Sequence, residues 1–303
     1  MGILYMLEKI RVPGLNELML AVTTLGEETA FLVLGLIIFW CVDKRKGYYV
    51  MTVGFLGTIS NQILKLACRV PRPWVLDPDF TILEQAREAA SGYSFPSGHT
   101  QTAVGTFGAV AVFSERKWLR WLCVLLAALV GFSRMYVGVH TLSDVLMGAG
   151  MACLLISLLR KPVLQGGIRE MKTVFITAIG AALLFFLYVN FWKFPEDMDP
   201  HNMESGLKNA YTMLGCTVGM AICYVYDRNK LNFPVKAVWW AQILKSVIGL
   251  ALVLAVKEGL RAPLEMILPV YSARAIRYFA IVITAGILWP MTFSYFSKLG
   301  VKK

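Results

Sequence analysis

The chain has 303 residues, of which 57% are hydrophobic, and its mean hydropathy is +0.61. This apolar fraction exceeds that of an ordinary globular domain, so the composition excludes a protein surrounded mainly by water. The formal net charge of +11 is typical of nucleic-acid binding as well as of membrane proteins, but no basic stripe with interleaved aromatic residues occurs, and no nucleic-acid partner is expected.

Apolar stretches approaching the roughly 20 residues that cross a bilayer recur along the whole chain. They predict an all-α, polytopic integral membrane bundle of about nine transmembrane helices. The expected spans are residues 27–42, 47–66, 98–113, 118–136, 142–159, 173–192, 206–226, 237–257 and 274–296. Residues 3–25, interrupted by Pro13, are predicted to lie along the membrane interface. We divide the chain into a catalytic core, 1–160, and additional spans of the same membrane domain, 161–303.

Basic residues predict the orientation of these spans. Sixteen Lys and Arg residues, against four acidic ones, fall on alternate connections: residues 43–46, 114–120, 160–172, 227–236 and 297–303. By the positive-inside rule, this side is predicted to be cytoplasmic. The net charge therefore indicates topology, and we expect an integral protein of the plasma membrane, the inner membrane in a bacterium, rather than of the endoplasmic reticulum.

Three short clusters of chemically active residues fall at the opposite, extracytoplasmic boundary. In chain order they are Lys65 with Arg72-Pro73, then Pro96-Ser97-Gly98-His99, then Ser133-Arg134 with His140 and Asp144. Each cluster lies where a predicted span begins or ends on that side. Segments distant in sequence are therefore expected to converge on one site at the membrane boundary.

The first feature of this site is an anion cradle. Lys65, Arg72 and Arg134 supply three cations, and two of them are guanidinium groups suited to phosphate oxygens. Ser97 and Gly98, ahead of a predicted helix, add a hydroxyl, free backbone N–H groups and room for close approach. Such a cradle can hold and neutralise the charge that spreads over a phosphoryl group during transfer.

Two imidazoles can divide the chemistry. His140 and Asp144 are one helical turn apart, so the carboxylate can accept from one ring nitrogen and leave the other as an unprotonated nucleophile. His99 is then the acid that protonates the leaving oxygen, and later the base that activates water. No carboxylate cluster for Mg²⁺ and no zinc spacing accompany these residues, so neither a metal nor any other cofactor is expected.

The patterns K-x6-RP, PSGH and SR-x5-H-x3-D resemble the three signature motifs of the type 2 phosphatidic acid phosphatase superfamily, over roughly residues 45–155. That superfamily includes glucose-6-phosphatase, sphingosine-1-phosphate phosphatase and undecaprenyl-pyrophosphate phosphatase. The resemblance implies the same roles for His140, His99 and Asp144, and phosphate binding by the cradle. A second similarity, in Leu207-Lys208-Asn209 with Gly215 and Gly219, is to the nine-span glucose-6-phosphatase and sphingosine-1-phosphate phosphatase branch.

These features predict a metal-independent membrane phosphatase of the acid-phosphatase type, which hydrolyses a phosphomonoester or pyrophosphate through a phosphohistidine. A lipid phosphate is favoured as substrate, because a cradle at the membrane boundary meets a headgroup while its chain stays among the membrane lipids. A sugar phosphatase similar to glucose-6-phosphatase, a lipid phosphotransferase and a non-enzymatic organic-phosphate transporter are the alternatives. The leaving group and the oligomeric state stay open.

Overall fold

The computed structural model describes residues 1–90, 92–196 and 198–299, and within them the chain is helical with no β-strand. This confirms the predicted all-α class. The α-helices are α1 (Gly2–Lys9), α2 (Pro13–Thr24), α3 (Glu28–Cys41), α4 (Lys44–Cys68), α5 (Pro73–Leu76), α6 (Gly98–Phe113), α7 (Lys117–Tyr136), α8 (Leu142–Leu164), α9 (Ile168–Phe191), α10 (Pro200–Tyr226), α11 (Trp239–Gly259), α12 (Arg261–Ile267), α13 (Val270–Ile283) and α14 (Phe293–Phe296). Lys302 and Lys303, which belong to the predicted cytoplasmic set, lie outside the described residues.

Five helical stretches of the described chain are long and apolar enough to cross a membrane: Lys117–Tyr136, Leu142–Leu164, Ile168–Phe191, Trp239–Ile267 and Val270–Phe296. The pair α2 and α3, bent by 51°, makes a sixth if it is one broken span. The remaining predicted spans, 47–66, 98–113 and 206–226, are helical, but α6 has only 16 residues, and α4 and α10 are long enough without being equally apolar. The count of nine therefore stays a prediction.

The surfaces of the apolar helices suit a lipid environment. Trp121 of α7, Ile176 of α9 and Leu184 of α9 are 73%, 70% and 67% exposed. Large apolar side chains are likewise exposed along α8 and α11. Apolar surface of this extent is rare on proteins surrounded by water, and helices satisfy their own backbone hydrogen bonds within a bilayer. The chain is an integral membrane protein.

The chain divides into two compact units that are discontinuous in sequence. Unit 1 contains Met1–Leu32, Thr52–Arg160 and Phe191–Gly206; unit 2 contains Val33–Met51, Lys161–Asn190 and Leu207–Lys303. All eight predicted site residues belong to unit 1. The division of the sequence at residues 160 and 161 stays a prediction.

Close helix packing within unit 1 brings the second and third clusters together. A Cβ atom on Gly148 of α8 would lie 2.5 Å from the carbonyl oxygen of Ser97, which caps α6. Only a glycine allows this approach. The Ser97 N–H also donates to the Asp144 carbonyl oxygen at 3.0 Å. The start of α6 is thereby fixed against the first turn of α8.

The end of α7 positions His140. Gly138 has φ +88°, a left-handed conformation that favours glycine and turns the chain out of the helix. The carbonyl oxygen of Arg134 then accepts hydrogen bonds from the N–H groups of Val139 and His140, at 3.2 and 3.3 Å. The backbone therefore holds His140 next to the last turn of α7, in the short connection to α8.

Unit 2 has an aromatic core. Tyr48 packs edge-on against Phe39, Phe175 and Tyr224, with ring centroids 5.0, 5.7 and 5.6 Å away. The Trp40 indole N–H donates to the carbonyl oxygen of Ala285 at 2.8 Å. The contact between Phe39 and Tyr48 joins the end of α3 to the beginning of α4.

Candidate active site

The predicted site residues occupy the ends of four helices and two connections of unit 1. Lys65 lies in the last turn of α4, and Arg72 immediately precedes α5. Ser97 caps α6, and Gly98 and His99 form its first turn. Arg134 lies in the last turn of α7, His140 in the turn that follows, and Asp144 in the first turn of α8.

The two ring nitrogens of His140 differ in their neighbours. Nη1 of Arg72 lies 3.0 Å from Nε2 and 3.5 Å from Nδ1, whereas Oδ2 of Asp144 lies 3.5 Å from Nδ1. A carboxylate can only accept, so the arrangement favours the tautomer with the proton on Nδ1 and the lone pair on Nε2. His140 is only 2% exposed. Nε2 is thus the nitrogen available for nucleophilic attack.

Ser94 lies between His140 and Asp144. Its hydroxyl donates to Oδ2 of Asp144 at 2.6 Å and is 3.4 Å from Nδ1 of His140. The backbone N–H of Thr141 donates to the same carboxylate oxygen at 2.7 Å. Asp144 is therefore held by two short hydrogen bonds while it faces the imidazole.

The electrostatic environment keeps His140 neutral. Burial lowers the pKa of His140 well below its usual range, because a buried imidazolium loses its hydration. Four neighbouring groups lower this pKa further; in decreasing order of effect they are Arg72, Arg134, Lys65 and His99. The nitrogen that faces Arg72 is consequently unprotonated at neutral pH, as a nucleophile must be.

Two of the three cations are already in contact with backbone carbonyls. Arg72 donates to Gly92 and Val139, at 2.8 and 2.9 Å, and Lys65 donates to Tyr93 at 3.1 Å. Burial lowers the pKa of Arg72 to about 10, and the Asp144 carboxylate opposes this effect. Arg72 therefore stays protonated at neutral pH. Both cations hold the loop that leads into α6.

Arg134 differs from the other two cations because most of its donors have no acceptor. Its side chain is fully buried, and Nη1 donates to the Thr23 hydroxyl at 2.7 Å. Among the described residues, neither Nε nor Nη2 has a hydrogen-bond partner. A buried guanidinium with unused donors is costly unless an anion binds it. This residue is the strongest indication of an oxyanion site.

The beginning of α6 completes the cradle. The Ser97 hydroxyl accepts from the Thr100 hydroxyl at 2.9 Å and caps the helix, which leaves its own hydrogen free to donate. A Cβ on Gly98 would meet only Asn61, at 3.7 Å, so the side of Gly98 is open to a ligand. Nε2 of His99 has no hydrogen-bond partner in the part of the chain that the structure describes.

Sequence reasoning missed three residues that support this site: Thr23, Ser94 and Asn202. Asn202, in the first turn of α10, accepts from the Tyr93 N–H at 2.7 Å and so fixes the loop that bears Ser94. Gly92, with φ +77°, begins this loop. The glycine itself is the one local feature of the sequence that indicates this turn. A serine or threonine in an irregular segment does not indicate by itself that its hydroxyl supports a site.

We expect Ser94→Ala to lower kcat by about tenfold, because it removes one of two hydrogen bonds that orient Asp144. KM should change little, since the Ser94 hydroxyl bonds the carboxylate and not the anion cradle. Ser94→Thr, which keeps a hydroxyl, should recover most of the activity. Steady-state kinetics on a single phosphate ester measures both constants.

The matched control is Ser143→Ala. Ser143 is exposed, and its hydroxyl contacts that of Thr141 rather than Asp144. This variant should keep the wild-type kcat. A loss in Ser94→Ala that appears only in KM would contradict the positioning role.

No cluster of three or more His, Cys, Asp or Glu side chains that could hold a metal ion occurs within the described ranges. The cationic groups around His140 are instead suited to a phosphate or another oxyanion.

Comparison with known proteins identifies the family. Residues 29–164, which include every predicted site residue, match the PAP2 superfamily, and residues 211–302 match the PAP2 superfamily phosphatase transmembrane extension. The chain is 32% identical, over 50% of its own length and 76% of the relative, to phosphatidylglycerophosphatase B of Bacillus subtilis (strain 168). The chain belongs to the PAP2 superfamily of membrane phosphatases, which hydrolyse phosphate esters, and it carries the transmembrane extension. The predicted family is confirmed.

The other similar proteins are two named as undecaprenyl-diphosphatases and one solved structure of a phosphatidylglycerolphosphate phosphatase. Undecaprenyl-diphosphatase BcrC of Bacillus subtilis is 32% identical, over 39% of this chain and 58% of the relative. An undecaprenyl-diphosphatase of Sulfolobus acidocaldarius is 26% identical, over 46% of this chain and 66% of the relative. The crystal structure of a transmembrane PAP2-type phosphatidylglycerolphosphate phosphatase from Bacillus subtilis covers 52% of this chain and 81% of that chain, with 29% identity and a TM-score of 0.45.

Proposed function

We propose that this phosphatase removes the terminal phosphate of a lipid phosphomonoester or diphosphate through a phosphohistidine on His140. The observation that carries the proposal is the buried Arg134, with unused donors beside a neutral His140. A phosphate dianion supplies acceptors for the unused donors of Arg134 and negative charge that compensates the surrounding cations. The relatives named for phosphatidylglycerophosphate and undecaprenyl diphosphate support a lipid substrate.

In the first step, Nε2 of His140 attacks phosphorus, the P–N bond forms, and the bond to the leaving oxygen breaks. His99 gives its proton to that oxygen. Burial and the neighbouring cations lower the pKa of His99 in the unliganded protein, and the negative charge of a bound phosphate raises it again, which favours protonated His99 before the step. Arg72, 3.0 Å from Nε2, can donate to an equatorial oxygen of the phosphorus attached there. Asp144 stabilises the charge that develops on the ring.

In the second step, water attacks the phosphohistidine. Neutral His99 takes a proton from the water, the P–N bond breaks, and inorganic phosphate leaves with His140 restored as the free imidazole. The protein's own cations neutralise the phosphoryl charge throughout, so the proposed cycle needs neither a metal nor a cofactor.

Phosphate release from the purified protein tests the substrate class. In detergent micelles with excess EDTA, kcat/KM should be higher for phosphatidylglycerophosphate, phosphatidate, sphingoid-base phosphates or undecaprenyl diphosphate than for glucose 6-phosphate. A clear preference for glucose 6-phosphate would refute the lipid substrate and favour the sugar-phosphatase alternative. Binding of organic phosphates with no release from any of them would favour a transporter.

We further propose that the site faces away from the cytoplasm of the cell, in the plasma membrane. The distribution of basic residues on the alternate connections supports the orientation. The bacterial relatives support the plasma membrane. With the six native cysteines replaced by serine, Asp79→Cys should react with an impermeant maleimide in intact cells, and Gln165→Cys should react only after permeabilisation. Both positions are exposed. The reverse labelling pattern would overturn the orientation.

A further inference from the structure

Unit 2 contains a polar cavity that the proposed chemistry does not use. It has a volume of about 450 Å³, within the range of small-ligand sites. Its walls come from the beginning of α4, the end of α10 and the π-helical turn that follows. The lining residues are Lys44, Arg45, Tyr48, Tyr224, Asp227, Arg228, Asn229 and Asn232.

Positive charge exceeds negative charge in this cavity, with three cations against one carboxylate. Lys44 and Asp227 compensate each other, because Nζ of Lys44 lies 2.9 and 2.8 Å from the two carboxylate oxygens. Arg45 donates from Nη1 to the carbonyl oxygen of Gly166 at 2.6 Å, and Arg228 is exposed. Arg45 and Arg228 thus line the cavity, and no second carboxylate among the lining residues compensates their charges.

Two buried hydroxyls lie in the same walls. Tyr48 and Tyr224 are 2% and 8% exposed, and neither hydroxyl has a hydrogen-bond partner within the described ranges. An unpaired buried hydroxyl is unfavourable, whereas a hydroxyl that donates to a ligand is satisfied. The cavity therefore combines surplus positive charge with unused donors, which is the pattern that an anionic acceptor requires.

The backbone at the cavity is irregular. Asp227–Leu231 forms a π-helical turn, and Asn232 after it has φ +38°, which is uncommon for a residue with a side chain. Asp227 stabilises the turn by accepting the Phe233 N–H at 3.1 Å. Such turns occur often at functional sites, and this one carries three of the lining residues, Asp227, Arg228 and Asn229, with a fourth, Asn232, directly after it.

We propose that this cavity binds the phosphate group of an anionic ligand, separately from the site around His140. The ligand is either free phosphate or the headgroup of an anionic phospholipid. In both cases a phosphate group accepts hydrogen bonds from Tyr48, Tyr224 and Arg228. The cavity lies among the basic connections predicted to be cytoplasmic, where basic pockets between membrane helices bind such headgroups.

Thermal-shift titrations of the purified protein in detergent test this site with three probes: dihexanoyl phosphatidylglycerol, dihexanoyl phosphatidylcholine and inorganic phosphate. Ligand binding to the folded state raises the midpoint of unfolding. Tyr48→Phe and Tyr224→Phe each remove one donor and should weaken binding about fivefold, and Arg228→Gln by at least as much. The matched control is Lys230→Gln, which removes a nearby exposed cation that does not line the cavity.

A response to phosphatidylglycerol that the three cavity variants weaken, and the control does not, supports a headgroup site. The same pattern with inorganic phosphate supports a free-phosphate site. Equal responses in the wild type, the three variants and the control would overturn the proposal. Phosphate release from a lipid phosphate should stay at the wild-type rate in Tyr48→Phe and Tyr224→Phe, so a failure of this inference is distinguishable from a failure of the proposed catalytic function.

Discussion

His140→Ala is expected to lower kcat toward every phosphate ester by about 10⁴-fold or more, the loss typical of removing a nucleophile from an enzyme that forms a covalent intermediate. The structure supports this residue because Nε2 faces the cradle, the imidazole is neutral, and Asp144 and Ser94 lie on the other ring nitrogen. No other described group combines these features. Brief exposure to a ³²P-labelled substrate, followed by an alkaline quench, should label the wild type and leave His140→Ala unlabelled.

His99→Ala is the informative comparison in the same experiment. If His99 protonates the leaving oxygen, this variant should still label His140 with p-nitrophenyl phosphate, whose leaving group needs little protonation. It should label far more slowly with an alkyl phosphate. Normal labelling of His140→Ala would show that the nucleophile lies elsewhere, and equal losses on both substrates in His99→Ala would exclude its role as the acid.

The sequence predicted the fold class and the family because both depend on local patterns. Long apolar runs indicate membrane helices, and the three motifs are short local patterns that lie within the residues matching the PAP2 superfamily. The number of spans is harder to predict. The helices α4 and α10 carry polar and charged residues along their length, so their apolar runs do not distinguish a span from a helix buried among others.

The supporting groups of the site could not be predicted, since they depend on tertiary contacts. Thr23 contacts Arg134 across 111 residues, and Ser94 contacts Asp144 across 50 residues. Neither residue stands in a motif with a spacing that indicates the contact. The roles of the motif residues stay predictions, although the structure places His140 in contact with both Arg72 and Asp144.

The Arg134 guanidinium is expected to be essential for activity and unfavourable for stability. Arg134→Lys keeps the charge but loses the planar pair of donors, and should lower kcat/KM about 10²-fold; Arg134→Met should lower it about 10³-fold. Because Nε and Nη2 have no acceptor among the described residues, removing this buried cation should also raise the midpoint of thermal unfolding without ligand, by about 2–4 °C.

Vanadate binding distinguishes phosphate binding by Arg134 from a purely structural role of this residue. It mimics the five-coordinate phosphorus of the transfer step, so it should stabilise the wild type strongly and Arg134→Met little. Arg120→Met, which removes an exposed cation from the first turn of the same helix, is the control and should keep both activity and the vanadate response. Activity within threefold of the wild type in Arg134→Met would refute phosphate binding by Arg134. A fall in the unfolding midpoint of that variant would instead mean that the buried guanidinium stabilises the fold.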